Sequence, residues 1–171
     1  MYKRRRRGMS KMSGPVKAKP GSFTRIYLHI VFAVKYRKGM IQPTWKEELY
    51  KYITGIVKEE GHLLIRINGM PDHIHILIAY KATRPLTDLV RIIKCNSSKF
   101  INERSFCQGR FEWQNGYGAF SCDHRHLDEI IRYIERQEIH HAKKKLREEY
   151  IELLRQYELE FSEQFLFSET T

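Results

Sequence analysis

Hydrophobic and polar positions change their spacing at well-marked points along the chain, and these changes divide it into elements. From Phe23 to Val34 the spacing is two. Ile26, Leu28, Ile30, Phe32 and Val34 fall on one side, and Arg25, Tyr27 and His29 on the other, which predicts a first strand. Gly39 breaks it. Thr44-Trp45-Lys46-Glu47 has the form of a capping box, and Trp45, Leu49, Tyr52, Ile53 and Ile56 follow at helical spacing up to Gly61. His62 to Asn68 predicts a second strand, which the turn-forming Asn68-Gly69 folds back into a third. In that third strand His73, His75, Leu77 and Ala79 share one face. Ile74, Ile76, Ile78 and Tyr80 share the other, the expected core face.

Pro85 opens a second helix with Leu86, Leu89, Val90, Ile93, Phe100 and Ile101 as its buried stripe. Phe111 to Ser121 predicts a last strand with a bend at Gly116 and Gly118. Leu127, Ile130, Ile131 and Ile134 define a third helix. Tyr133 and Gln137 lie four apart on it and so share one shoulder. A fourth, charged helix uses Leu146, Tyr150, Leu153, Leu154 and Tyr157 as its apolar positions. The resulting order βαββαβ predicts an α+β fold of the ferredoxin-like kind: an antiparallel sheet with two helices on one face, and C-terminal helices appended. The strand carrying His73 is then central.

Composition narrows the function classes. With 171 residues, 42% of them hydrophobic, the chain can bury one real core. Its formal net charge of +11 favours polyanionic partners, nucleic acid first. Part of that charge sits in residues 1–21, where Lys3-Arg4-Arg5-Arg6-Arg7 and scattered Gly, Ser, Pro and Lys give almost nothing to bury. This predicts a disordered basic arm ahead of a domain at 22–171. No apolar run approaches the roughly 20 residues of a membrane-spanning helix, so no membrane partner is expected. Cys95, Cys107 and Cys122 lack Cys-x-x-Cys spacing and predict reduced thiols in a cytoplasmic protein.

Several pieces together carry a resemblance. They are Tyr27-Leu28-His29 with Phe32 and Lys35-Tyr36-Arg37; Met70-Pro71-Asp72-His73-Ile74-His75; Trp113-Gln114 with Gly116-Tyr117-Gly118-Ala119-Phe120-Ser121; Tyr133 through His141; and Glu148-Glu149-Tyr150. In this order, over residues 23 to 168, the chain resembles the single-tyrosine HUH transposases of small bacterial insertion sequences. The resemblance implies a bacterial, nucleoid-associated enzyme. It implies that His73 and His75 are metal ligands, Gln137 the third ligand and Tyr133 the nucleophile. It further implies a homodimer with composite active sites, acting on single-stranded DNA beside subterminal hairpins.

The residue chemistry is compatible with those roles. Two imidazole nitrogens and an amide oxygen make a neutral site with open positions, suited to Mg²⁺ or Mn²⁺ that keeps water and takes a phosphate oxygen. Lys35, Arg37 and Lys38 after the first strand, and Lys94 and Lys99 on the second helix, are candidates for phosphate contacts. His140 and His141 fall at a helix end and are left out of the metal set. Two other readings stay open. One is a domesticated relative acting on repeat palindromes of its host. The other is a catalytically silent nucleic-acid-binding module with structural histidines.

Overall fold

The structure is a computed structural model that describes residues 23–141, 146–162 and 166. The expected basic arm, residues 1–21, lies outside the described residues. Four strands form one antiparallel sheet: β1 (Ile26–Ala33), β2 (Leu63–Met70), β3 (His73–Tyr80) and β4 (Gly118–Cys122), in the order β2-β3-β1-β4. Helices α1 (Lys46–Glu59) and α2 (Leu86–Glu103) cover one face, where Ile30, Phe32, Ile74, Ile76 and Ile78 are buried with Leu49, Ile53, Leu89 and Ile93. This is the predicted ferredoxin-like arrangement, with β3 and β1 in the centre. Each of those branched aliphatics removed from water contributes roughly 1.5–3 kcal/mol before entropy is charged against it.

The opposite face is buried too, and for a different purpose. Helices α3 (Leu127–Glu135) and α4 (Gln137–His141) pack against β2. Helix α5 (Leu146–Gln156) lays Leu146, Tyr150 and Leu154 over Val31, Ala33 and Phe120. His29, His73 and His75 are therefore enclosed between sheet and helices, at 4%, 0% and 0% exposure.

Four local expectations are corrected. The β2–β3 turn is Pro71-Asp72, not Asn68-Gly69: β2 continues to Met70, which pairs with His73. The turn carbonyls are held by Ile41 N–H, which donates to Pro71 O, and Val34 N–H, which donates to Asp72 O. Gly69 is in the strand because β3 passes too close for a side chain. A Cβ there would lie 2.2 Å from His73 O and 2.7 Å from Ile74 Cα. The Thr44 capping box is not made. α1 is entered through Trp45 without a side-chain cap, and Gln42 O accepts from the N–H groups of Trp45 and Lys46.

The last strand is shorter than predicted. Among the described residues, 111–117 pair with the sheet as a single bridge, Val34–Trp113, beside which Gln114 N–H donates to Ala33 O, because Phe111 and Trp113 turn inward and Trp113 Nε1–H donates to Ser97 Oγ. Finally, Tyr133 and Gln137 do not share one helix. Asn68 Nδ2 on β2 donates to the Ile134 and Glu135 carbonyls at 2.9 and 3.2 Å, taking the acceptors a continuing helix would use. The helix stops at Arg136 and α4 restarts at Gln137.

Candidate metal centre and nucleophile

The site grows out of the parity of β3. Ile74, Ile76 and Ile78 are core aliphatics, so His73 and His75 both emerge on the opposite face, with ring centroids 5.1 Å apart. Each imidazole is oriented by a partner. The Asp72 carboxylate lies 2.7 Å from His73 Nδ1 and accepts its proton, which leaves the lone pair on Nε2. His75 Nδ1 lies 2.9 Å from His29 Nε2, with the two rings stacked. Burial pushes the His29 imidazole down to about 4, so it is neutral near pH 7 and its Nε2 can accept from His75 Nδ1–H. That tautomer also leaves the His75 lone pair on Nε2.

Helices close the site from above. Gln137 is fully buried. Its Nε2 donates toward Tyr133 O at 3.5 Å and Glu149 Oε1 at 3.3 Å, and its Oε1 makes no hydrogen bond among the described residues. So although the helix breaks at Arg136, Gln137 still folds back to Tyr133. Glu149, on α5, is 2% exposed, and its Oε1 lies 3.7 Å from His75 Nε2. Ligand atoms of His73, His75 and Glu149 all lie within 4.8 Å of one another. Burial above all, then the carboxylates of Asp72 and Glu152, pushes the Glu149 carboxyl up to about 8. The cluster therefore brings a buried carboxyl group beside the two imidazoles and one amide expected from the sequence.

Tyr133 stands at the edge of this group. Its ring is edge-on to His75 at 5.8 Å and to His29 at 6.0 Å. The pairing is made within one chain. Asn68 stands opposite His75 in the β2–β3 register and clamps the end of α3; Arg66 pairs with Glu135 at 3.1 Å, and Lys46 with Glu138 at 2.9 Å. Tyr133, Glu149, His29 and Glu129 line a cleft of about 750 Å³ between α3 and α5. Tyr150, by contrast, packs on Phe120, and burial pushes its hydroxyl up to about 12.

The candidate phosphate-contacting residues separate into two kinds. Lys35, Lys94 and Lys99 line a second cleft, of about 800 Å³, with Arg110. The Lys94 ammonium donates to the Gln114 and Gly116 carbonyls, so it braces the 111–117 segment, and burial holds its pKa below the usual lysine range. Lys35 pairs with Glu112 at 2.6 Å, and Lys99 with Glu103 at 3.7 Å at the surface. Lys35 and Lys38 lie over the ring of Tyr36, whose φ of +57° closes the turn containing Arg37.

With this geometry in hand, the comparison with known sequences is decisive. The profile of the family described as "Transposase IS200 like" matches residues 22–137, more than half of the chain. The chain belongs to the IS200-like transposase family. One relative within this family's range is the ISDra2 transposase TnpA of Deinococcus radiodurans, 23% identical over 122 residues, covering 68% of this chain and 87% of the relative. Among solved structures, a transposase from Deinococcus radiodurans R1 is similar with a TM-score of 0.56 at 22% identity, over 71% of this chain and 98% of that one. A REP-associated tyrosine transposase bound to a REP hairpin has the same TM-score of 0.56 at 10% identity, over 91% of this chain and 94% of that one. Among the described residues, no helix of this IS200-like transposase is long and apolar enough to cross a membrane.

Sequence reading missed His29 and Glu149 as parts of the site. Both left a signal. His29 alternates with Tyr27 and Arg25 on the sheet face that also carries the β3 histidines. Glu149 falls three residues after Leu146 on the apolar side of α5, where a carboxylate is out of place.

Proposed function

We propose that this transposase cleaves and rejoins single-stranded DNA through a 5′-phosphotyrosine intermediate on Tyr133, with a divalent cation held by His73, His75 and Gln137. The observation that carries the reading is that, inside one chain, the Tyr133 ring lies 5.8 Å from His75 and 6.0 Å from His29, with the His73 ring 5.1 Å from that of His75. The donor set fits a hard divalent ion: two imidazole lone pairs, a buried amide oxygen without a hydrogen bond among the described residues, and a carboxylate at 3.7 Å from His75. Mg²⁺ or Mn²⁺ bound there would supply Lewis-acid polarisation and alignment of the scissile phosphate.

The chain's own residues do the rest. The Tyr133 hydroxyl attacks phosphorus and the bond from phosphorus to the 3′ oxygen breaks. The proton given up by tyrosine is balanced by the one the departing 3′ hydroxyl gains. The phosphodiester energy is kept in the tyrosyl bond, so a later 3′-OH can reverse the step and join new ends without ATP. Asn68, Arg66 and Lys46 hold the tyrosine in place before substrate arrives. Lys35, Arg37, Lys38 and Lys99 neutralise phosphates along the strand, while Lys94 shapes the cleft beside them. We extend the reading to the assembly that the family resemblance implies, a homodimer acting beside subterminal hairpins.

A second reading is a domesticated REP-associated tyrosine transposase acting on repeat palindromes. It is favoured by the fold likeness that runs through 91% of the chain, beyond the family segment that ends at residue 137. Palindromes flanking the gene would decide for the mobile element.

The test is a single strand labelled on the 3′ side of the cut, incubated with protein and Mn²⁺ and run under denaturing conditions. Label enters the wild-type protein band and is absent from Tyr133→Phe, which keeps DNA binding. An adduct surviving in Tyr133→Phe, or DNA binding by the wild type without any cleavage, would overturn the assignment; the latter outcome identifies a silent binding module.

A further inference from the structure

We propose that Glu149 is a metal ligand supplied by α5, so that this chain closes its own ion site and loads it before DNA arrives. The inference rests on the functional reading above and deepens it. The family segment ends at residue 137, so the family match does not account for a carboxylate delivered by a helix that begins at residue 146.

Three observations converge on Glu149. It is 2% exposed, yet α5 could have placed an apolar side chain there, as it does with Leu146 and Leu154 on the same side. Burying a carboxylate is costly unless a cation or donors compensate it. Its Oε1 lies 3.7 Å from His75 Nε2, longer than a hydrogen bond. That spacing suits two ligands of one ion instead: donors about 2.1 Å from a shared cation lie roughly 3.0 Å apart at a right angle and 4.2 Å apart when opposite. Last, Gln137 Nε2–H donates to Glu149 Oε1 at 3.3 Å, which turns Gln137 Oε1 away as the amide's remaining donor atom for an ion. Glu149 thus acts twice, as an anionic ligand and as the brace that orients a neutral one.

The consequence is a change of charge. Two imidazoles and an amide bind a divalent ion weakly and rely on a DNA phosphate to complete the sphere. Adding one carboxyl group, which gives up its proton as the ion binds, supplies an anionic ligand that does not come from substrate.

The full-length protein is titrated with Mn²⁺ alone, following the electron paramagnetic resonance signal of the free ion, for wild type, Glu149→Gln, Glu149→Asp and His73→Ala. Thermal melts in EDTA check folding. Wild type takes up one Mn²⁺ without DNA, and Glu149→Gln binds at least about tenfold more weakly. Should the amide variant not fold, Glu149→Asp carries the test, since a side chain one methylene shorter also weakens binding. Unchanged or tighter Mn²⁺ binding in a folded Glu149 variant, with binding abolished in His73→Ala, overturns the ligand role and leaves the functional reading standing. A wild type that neither binds Mn²⁺ nor forms the tyrosyl adduct brings down both.

Discussion

Asn68 is the residue on which the position of Tyr133, the proposed nucleophile, depends most directly. Its Nδ2 donates to the last carbonyls of α3, at 2.9 Å to Ile134 O and 3.2 Å to Glu135 O. Replacing it with alanine removes both bonds and leaves one half-buried carbonyl with less to satisfy it. A neutral hydrogen bond contributes about 0.5–1.5 kcal/mol net, and the Glu135 end is exposed, so the pair together stabilises the docked helix by about 1–2 kcal/mol. Converted to a rate, that is a loss of about 5- to 30-fold in single-turnover adduct formation at saturating DNA, with about thirtyfold as the ceiling. The isosteric Asn68→Asp is a sharper perturbation. It replaces the donor with an acceptor facing two carbonyl oxygens, so attraction becomes repulsion while volume is unchanged. The expected order in both adduct rate and melting temperature is wild type, then Asn68→Ala, then Asn68→Asp, with DNA affinity the same in all three. An Asn68→Asp protein equal to wild type in rate and melting would refute the clamp.

Two further outcomes follow from the same geometry. His29→Phe keeps the ring but removes the acceptor for His75 Nδ1–H; Mn²⁺ affinity measured by titration should fall about 10- to 100-fold, while β1 still pairs and the protein still melts cooperatively. Gly69→Ala sets a Cβ 2.2 Å from the His73 carbonyl, a backbone clash that side-chain rotation cannot relieve; chemical denaturation should show a loss of several kcal/mol, roughly the largest class of single-site effects, and a stability equal to wild type would contradict the β2–β3 register.

The elements were legible because their periods are strong. Alternation in β1 and β3 and the apolar stripes of α1, α2 and α3 depend on which residues are buried, and burial is a property each residue type announces. The failures share a cause as well. Asn68-Gly69 carries the local chemistry of a turn, yet the turn is at Pro71-Asp72, because a strand passing close to Gly69 and the donors of Val34 and Ile41 decide the matter from a distance. The continuous helix from Leu127 to His141 fails for the same reason: Asn68, from another element, intercepts its carbonyls. Of the candidate site, His73 and His75 were legible as pattern, and Gln137 and Tyr133 through the resemblance. The wiring was not. That His29 faces His75 requires the β1–β3 register, and that Glu149 reaches the histidines requires knowing where α5 docks.

β3 holds two inventories in one eight-residue strand. Its even positions build the stability of the molecule, and its odd positions 73 and 75 carry the imidazoles of the proposed metal site. Substitution can therefore explore one list without touching the other: an isoleucine repacked against α1 leaves the imidazoles where they were. Insertion or deletion of a single residue has no such freedom, because it exchanges the lists, sending histidines into the aliphatic layer and isoleucines into the cleft. In a lineage of such proteins, this strand is expected to drift freely in side-chain identity on its aliphatic face and to tolerate no change in length at all.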